Sequence, residues 1–119
     1  MGDLANNFSR NEFACNCGCG FDTVDAELLK VLRGIRMFFR SEVIINSGCR
    51  CTKHNTSVGG SPQSMHLIGR AADITVAGFV AEEVQWYLTG MYMDKYGIGS
   101  YKSFTHVDTR SGGKARWVG

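Results

Sequence analysis

Ser64-Met65-His66-Leu67-Ile68-Gly69-Arg70-Ala71-Ala72-Asp73 is the stretch that decides how this chain is read. It leaves a polar loop at Ser64 and enters Ala71-Ala72-Asp73-Ile74-Thr75-Val76, which reads as a β-strand. A Gly and two Ala between His66 and Asp73 allow a tight turn that brings an imidazole and a carboxylate to one point. Further on, Phe104-Thr105-His106-Val107-Asp108 reads as another strand, and alternation puts Phe104, His106 and Asp108 on one face. His66, Asp73 and His106 are suitable zinc ligands. Three protein ligands leave a position open for water, which marks the catalytic kind of site. Spacing alone also suits histidines that only satisfy a core or a surface.

The elements around these segments give an α+β domain, a small and mostly antiparallel sheet with two main helices. Leu28, Leu29, Leu32, Ile35, Phe38 and Phe39 follow the helical period, so a helix is expected from Asp22 or Thr23 to Phe39. Ser9 and Glu12 fit a capping box before it, with Phe8 and Phe13 as packing anchors. Val43-Ile44-Ile45-Asn46 reads as a short buried strand. A long polar loop is expected from Ser47 to Ser64, and loops of that length are usually functional. A second helix is expected over Ala81 to Tyr92, with Val84, Tyr87, Leu88 and Met91 on one face. Ile98 to Tyr101 and Phe104 to Asp108 read as a hairpin turning at Lys102-Ser103.

The chain has 119 residues, 44% hydrophobic and 20% charged, which suits one globular domain over residues 1–119. No apolar run approaches the roughly 18–20 residues of a membrane span. Fifteen Gly and one Pro, without a Gly-X-Y period, exclude collagen and Pro-rich linkers. A net charge of +2 gives no case for nucleic acid. Met1-Gly2-Asp3-Leu4-Ala5-Asn6-Asn7 lacks the basic and apolar regions of a secretory signal, so work outside a cell would need release by another route. Five cysteines fall into two groups, Cys15, Cys17 and Cys19, then Cys49 and Cys51. An odd number cannot all pair within one chain, and without a signal they read as reduced thiols. Packing thiols, a second structural zinc and a redox cluster all remain open.

Ser64-x-His66-x-x-Gly69-x-Ala71-x-Asp73, followed by His106-x-Asp108, resembles the D-Ala-D-Ala carboxypeptidase and L-alanyl-D-glutamate endopeptidase family of zinc peptidases. That family shares a fold with the hedgehog signalling domain. Asn46-Ser47-Gly48-Cys49-Arg50 is similar to its Ser-Gly-x-Arg segment, and His54-Asn55 with Val58-Gly59-Gly60 to the loop before the first ligand. Asn7-Phe8, Glu12-Phe13-x-Cys15 and Ala115-Arg116-Trp117 match a small branch common among phage lysis enzymes and cell-wall peptidases. The resemblance implies Zn²⁺ on His66, Asp73 and His106. It implies a zinc-activated water cutting a peptide bond of the peptidoglycan stem. The chain is expected to be a monomer without a nucleic-acid partner. Arg50 would hold a substrate carboxylate or the developing oxyanion, or else serve a structural salt bridge. Ser64 would line the cleft or cap backbone, and His54 would brace the loop.

Many members carry a general-base Glu three residues before the last His, where this chain has Ser103. Asp108 is the candidate base in its place, with orientation of the ligand shell or direct ligation as the alternatives. Two further function classes stand beside the peptidase. One is a catalytically weak or inactive zinc-binding module that attaches to a cell wall. The other is an interaction protein stabilised by zinc on its cysteines.

Overall fold

Asp25 starts the first helix. Its carboxylate accepts from the Glu27 and Leu28 amides at 3.1 and 3.2 Å, so α1 spans Ala26–Phe39. The helix therefore begins later than its acidic lead-in suggests, because Asp25 is its cap and not part of its first turn. A computed structural model describes residues 8–119. The signal reading of residues 1–7, and Asn7 of the resembling segment, lie outside them.

β1 (Val43–Ser47), β2 (Ala71–Val76), β3 (Gly97–Ser100), β4 (Thr105–Asp108) and β5 (Ala115–Val118) form one sheet in the order β1-β2-β4-β3-β5. All neighbours are antiparallel except β3 and β5. α2 (Thr52–Ser57) lies inside the stretch expected to be loop, capped by the Cys51 sulfur. Six polar residues have no apolar period to announce a helix, and the cap holds this one. α3 covers Ala81–Met91 and buries Val84, Tyr87 and Leu88; Met91 is exposed, contrary to expectation. β1 is an edge strand and not a buried one, with Ile44 facing out. The hairpin strands end one residue earlier and start one later than expected. Tyr101 and Phe104 instead bracket the turn, their rings stacked at 4.3 Å.

One face of the sheet packs into the core. Ala72, Ile74, Val76, Ile98 and Val107 alternate onto it and meet Leu28, Val31, Leu32, Ile35, Val84 and Leu88 from α1 and α3. Each fully buried aliphatic side chain contributes about 1.5–3 kcal/mol. Phe8 and Phe13 close the core from the N-terminal segment. There Ser9 N–H donates to the Glu12 carboxylate at 2.6 Å across a short 3₁₀ turn. No helix of the described residues is long and apolar enough to cross a membrane.

The opposite face is set by register. Ser47, Asp73, His106, Gly99 and Trp117 occupy one rung that crosses all five strands. A bulge in β1 between Ile45 and Ser47 turns Ser47 into that rung. Ala71, Asp108, Gly97 and Ala115 make the next rung. The site-facing positions of β3 are glycines because the space is taken. A Cβ on Gly97 would sit 2.3 Å from an Asp108 oxygen, and one on Gly99 2.5 Å from the Trp117 ring.

Gly69 ends the turn that carries His66. Its φ is +70°, and a Cβ there would lie 2.5 Å from the Thr23 carbonyl oxygen. Its own carbonyl accepts from Asp25 N–H at 2.9 Å, so the turn is docked onto the start of α1. Gly69→Ala is expected to cost at least the ~1–2 kcal/mol of a left-handed non-glycine residue, plus that backbone collision. Denaturant unfolding measures it, and an unchanged midpoint would contradict the docking.

Candidate metal centre

His66 sits in a 3₁₀ turn, Met65–Ile68, between the loop and β2. The Ser64 hydroxyl caps this turn by accepting from His66 N–H at 3.1 Å. The His66 ring is buried, with Nδ1 2.5 Å from the Gly48 carbonyl. A carbonyl only accepts, so Nδ1 carries the proton and Nε2 is left as a lone pair. Nε2 lies 3.2 Å from Asp73 Oδ1. His106 Nδ1 approaches the same oxygen at 3.0 Å from the neighbouring strand. The far nitrogen of His106, Nε2, lies 2.8 Å from Asp108 Oδ2. Thus three donor atoms converge within 4.8 Å of one another, one each from His66, Asp73 and His106.

Asp108 is completely buried, behind His106 as seen from Asp73. Arg110 grips it, Nε to Oδ1 at 2.8 Å and Nη2 to Oδ2 at 2.7 Å. Oδ1 also accepts from the backbone N–H groups of Gly97 and Arg110, at 3.1 and 3.2 Å. Burial pushes the Asp108 carboxyl up, but Arg110 and His106 outweigh it and hold it well below the usual carboxylate range. For Asp73, burial acts upward too, but the two imidazoles beside it, His106 first, outweigh it and hold the carboxyl well below the usual range. His106 is the mirror case: burial opposes its charge, yet Asp108 and Asp73 keep its pKa above the ordinary value.

Arg50 enters from the loop after β1. Nη2 reaches Asp73 Oδ2 at 3.1 Å, Nε reaches the Ser47 hydroxyl at 3.2 Å and Nη1 reaches Asn55 Oδ1 at 3.2 Å. The salt bridge weighed for Arg50 is therefore present, and the residue also lines the cleft. Asn55 is buried on α2 and holds the loop through Nδ2 to the Ser61 carbonyl at 2.8 Å. The cleft encloses about 510 Å³, with His66, Asp73 and His106 at its base. Arg50, Ser64, Arg110, Tyr101, Phe104 and Trp117 form its walls. Asp73 is the only carboxylate among the described residues lining it. Ser103 is exposed in the hairpin turn, and neither it nor His54 lines the cleft.

The family model for peptidase M15 matches residues 6–108. The chain belongs to the peptidase M15 family. Membership makes it a metallopeptidase, and the His-Asp-His group gives this M15 peptidase the donors to hold a metal. No curated protein matches the chain significantly.

Three residues of this site, Arg110, Trp117 and Asn55, carry no site role in the sequence pattern. Arg110 continues the His106-x-Asp108 alternation by one more step, so period 2 could have found it. Trp117 lies over His106, ring centroids 4.9 Å apart, through a parallel pairing that no local pattern announces. In the sequence Asn55 stands only in the His54-Asn55 loop segment, and Trp117 only in the Ala115-Arg116-Trp117 match.

Proposed function

We propose that this M15 peptidase is a zinc enzyme that hydrolyses peptide bonds in the stem peptide of peptidoglycan. The supporting observation is the convergence of His66 Nε2, Asp73 Oδ1 and His106 Nδ1 at the base of an open cleft. The donor chemistry fits zinc: two imidazoles and one carboxylate, each imidazole turned by an acceptor on its far nitrogen. When bound, zinc supplies a water ionisable near neutral pH and a Lewis acid for the scissile carbonyl.

The chain's own residues orient and bind. Asp108 is a positioning residue: it holds the Nε2–H of His106, so Nδ1 faces Asp73. Its burial and its grip by Arg110 support that role over the general base first considered for it. Arg50 steadies Asp73 and Asn55. Three of its five N–H donors serve those contacts and Ser47, so two remain for a substrate carboxylate or oxyanion. Arg50 and Arg110 give the walls positive charge, which suits stem peptides with free carboxylates. Ser64 offers the rim a polar group, and Tyr101, Phe104 and Trp117 an apolar wall.

Purified protein on peptidoglycan and on synthetic stem peptides, with products identified by mass, tests this reading. Loss of a terminal D-Ala defines a carboxypeptidase, and internal cleavage after L-Ala an endopeptidase. A second reading, a wall-binding module with little turnover, is favoured by one observation: no carboxylate other than Asp73 lines the cleft among the described residues. Sedimentation with cell walls and no released fragments would select it. We propose a monomer that reaches the wall by release or export, as a phage lysis or virion protein would.

Metal loading is expected to depend on pH. Without metal, the raised pKa of His106 places an imidazolium between Asp73 and Asp108. The stability from that proton is complete below about 6.5, the ordinary value, and is lost as pH rises through the raised one. A metal ion must displace the proton. Zinc affinity at this site should therefore tighten by up to about tenfold per pH unit over that window. Competition with a chelator at several pH values measures it, and a flat profile would contradict it.

A further inference from the structure

The cysteines lie away from the cleft and build a second centre. Cys15 follows the buried Phe13, and the chain coils back there, with Cys15 N–H donating to the Phe21 carbonyl at 2.7 Å and Gly18 N–H to the Cys15 carbonyl at 3.1 Å. This coil brings Cys17 and Cys19 round to face Cys51 at the start of α2. The sulfur of Cys15 lies 3.5 Å from that of Cys17 and 3.8 Å from that of Cys51, and Cys17 lies 3.6 Å from Cys51. With Cys19 included, all four sulfurs lie within 4.8 Å of one another.

These separations are far longer than the ~2.05 Å of a disulfide. They match a tetrahedron around one ion: metal–sulfur bonds of ~2.3 Å give edges of about 3.8 Å. Two backbone N–H groups also aim at the sulfurs, Cys51 N–H at Cys15 Sγ and His54 N–H at Cys51 Sγ, both at 3.4 Å. Such donors stabilise thiolate charge. The fifth cysteine has another task. Cys49 is buried with its sulfur 3.1 and 2.9 Å from the carbonyls of Phe13 and Phe21, where an S–H can donate and a thiolate cannot. The odd count thus divides into four and one.

We propose that Cys15, Cys17, Cys19 and Cys51 bind one structural Zn²⁺ as a closed tetrathiolate, independent of the cleft. Four thiols give up four protons and the ion takes four sulfurs, with no open position. The bond set ties the N-terminal segment to the residue that follows Arg50.

Zinc per chain, measured by elemental analysis on reduced protein grown with zinc, tests this. His66→Ala/His106→Ala should keep one equivalent, and Cys17→Ser/Cys19→Ser should lose that one. Cys49→Ser should leave the cluster's zinc in place. If the double serine variant does not fold, the unmutated protein still decides. Cys17 and Cys19 are exposed, yet they should resist a thiol reagent until a strong chelator is added, and cobalt exchange should bring thiolate-to-metal charge-transfer bands. Immediate reaction of both thiols without chelator, a disulfide among the four, or a His66→Ala/His106→Ala protein free of zinc would overturn the proposal.

Discussion

His66→Ala should lose one equivalent of zinc per chain and all measurable hydrolysis of stem peptides. His106→Ala should do the same. Removing one of three donors takes away a bond and leaves Asp73 facing only one imidazole. The loss should go well beyond the ~10–100-fold that follows removal of an outer hydrogen-bond partner. The imidazole of His66 also fills a buried space and donates to Gly48, so some stability should go with it. For that reason zinc content and thermal unfolding belong in the same experiment. A folded His66→Ala protein with full zinc at the cleft and ordinary activity would remove the His-Asp-His assignment.

Asp108→Asn should be almost as damaging, for a different reason. Both Asp108 oxygens accept hydrogen bonds: Oδ1 from Gly97 N–H, Arg110 N–H and Arg110 Nε, Oδ2 from His106 and Arg110 Nη2. Either orientation of an amide sets an NH₂ against N–H donors in a buried place. Breaking a buried ion pair in this way costs about 3–5 kcal/mol. With His106 no longer held, zinc affinity should drop by about 10–100-fold, and excess zinc should restore much of kcat. A general base would behave otherwise: metal retained, and turnover down by about 10²–10⁴-fold at any zinc concentration. The response of kcat to added zinc separates the two roles.

Local rules made parts of the His-Asp-His group legible, and the family resemblance joined them; the β2–β4 pairing that sets His106 against Asp73 spans 33 residues. A short turn with Gly69 places His66 near Asp73, and strand alternation places His106 and Asp108 on one face. The α+β class was legible for the same reason, since α1, α3, β2 and the hairpin carry clear apolar periods. What escaped depends on contacts between distant parts. Gly97 and Gly99 read as ordinary hairpin residues until Asp108 and Trp117 are seen to occupy their side-chain space. α2 has no apolar face to reveal it. The burial of Asp108 and the grip of Arg110 on it come from the folded packing; of these, only the i+2 position of Arg110 shows in the spacing. The cysteines read as unpaired because Cys-x-Cys is poor spacing for a local zinc knuckle, and Cys51 joins from 36 residues away.

Trp117 closes the rung of the site from the last strand of the sheet, and this sets an order in time. Synthesis delivers Ser47, His66 and Asp73 well before His106, and β5 after both. A chain still on the ribosome has Asp73 with at most one imidazole until β4 emerges, and an unroofed His106 until β5 pairs with β3. Long-range pairings of this kind form late and slowly. A chain that has not yet paired β5 therefore lacks the Trp117 ring over His106 and the cleft wall that this ring supplies.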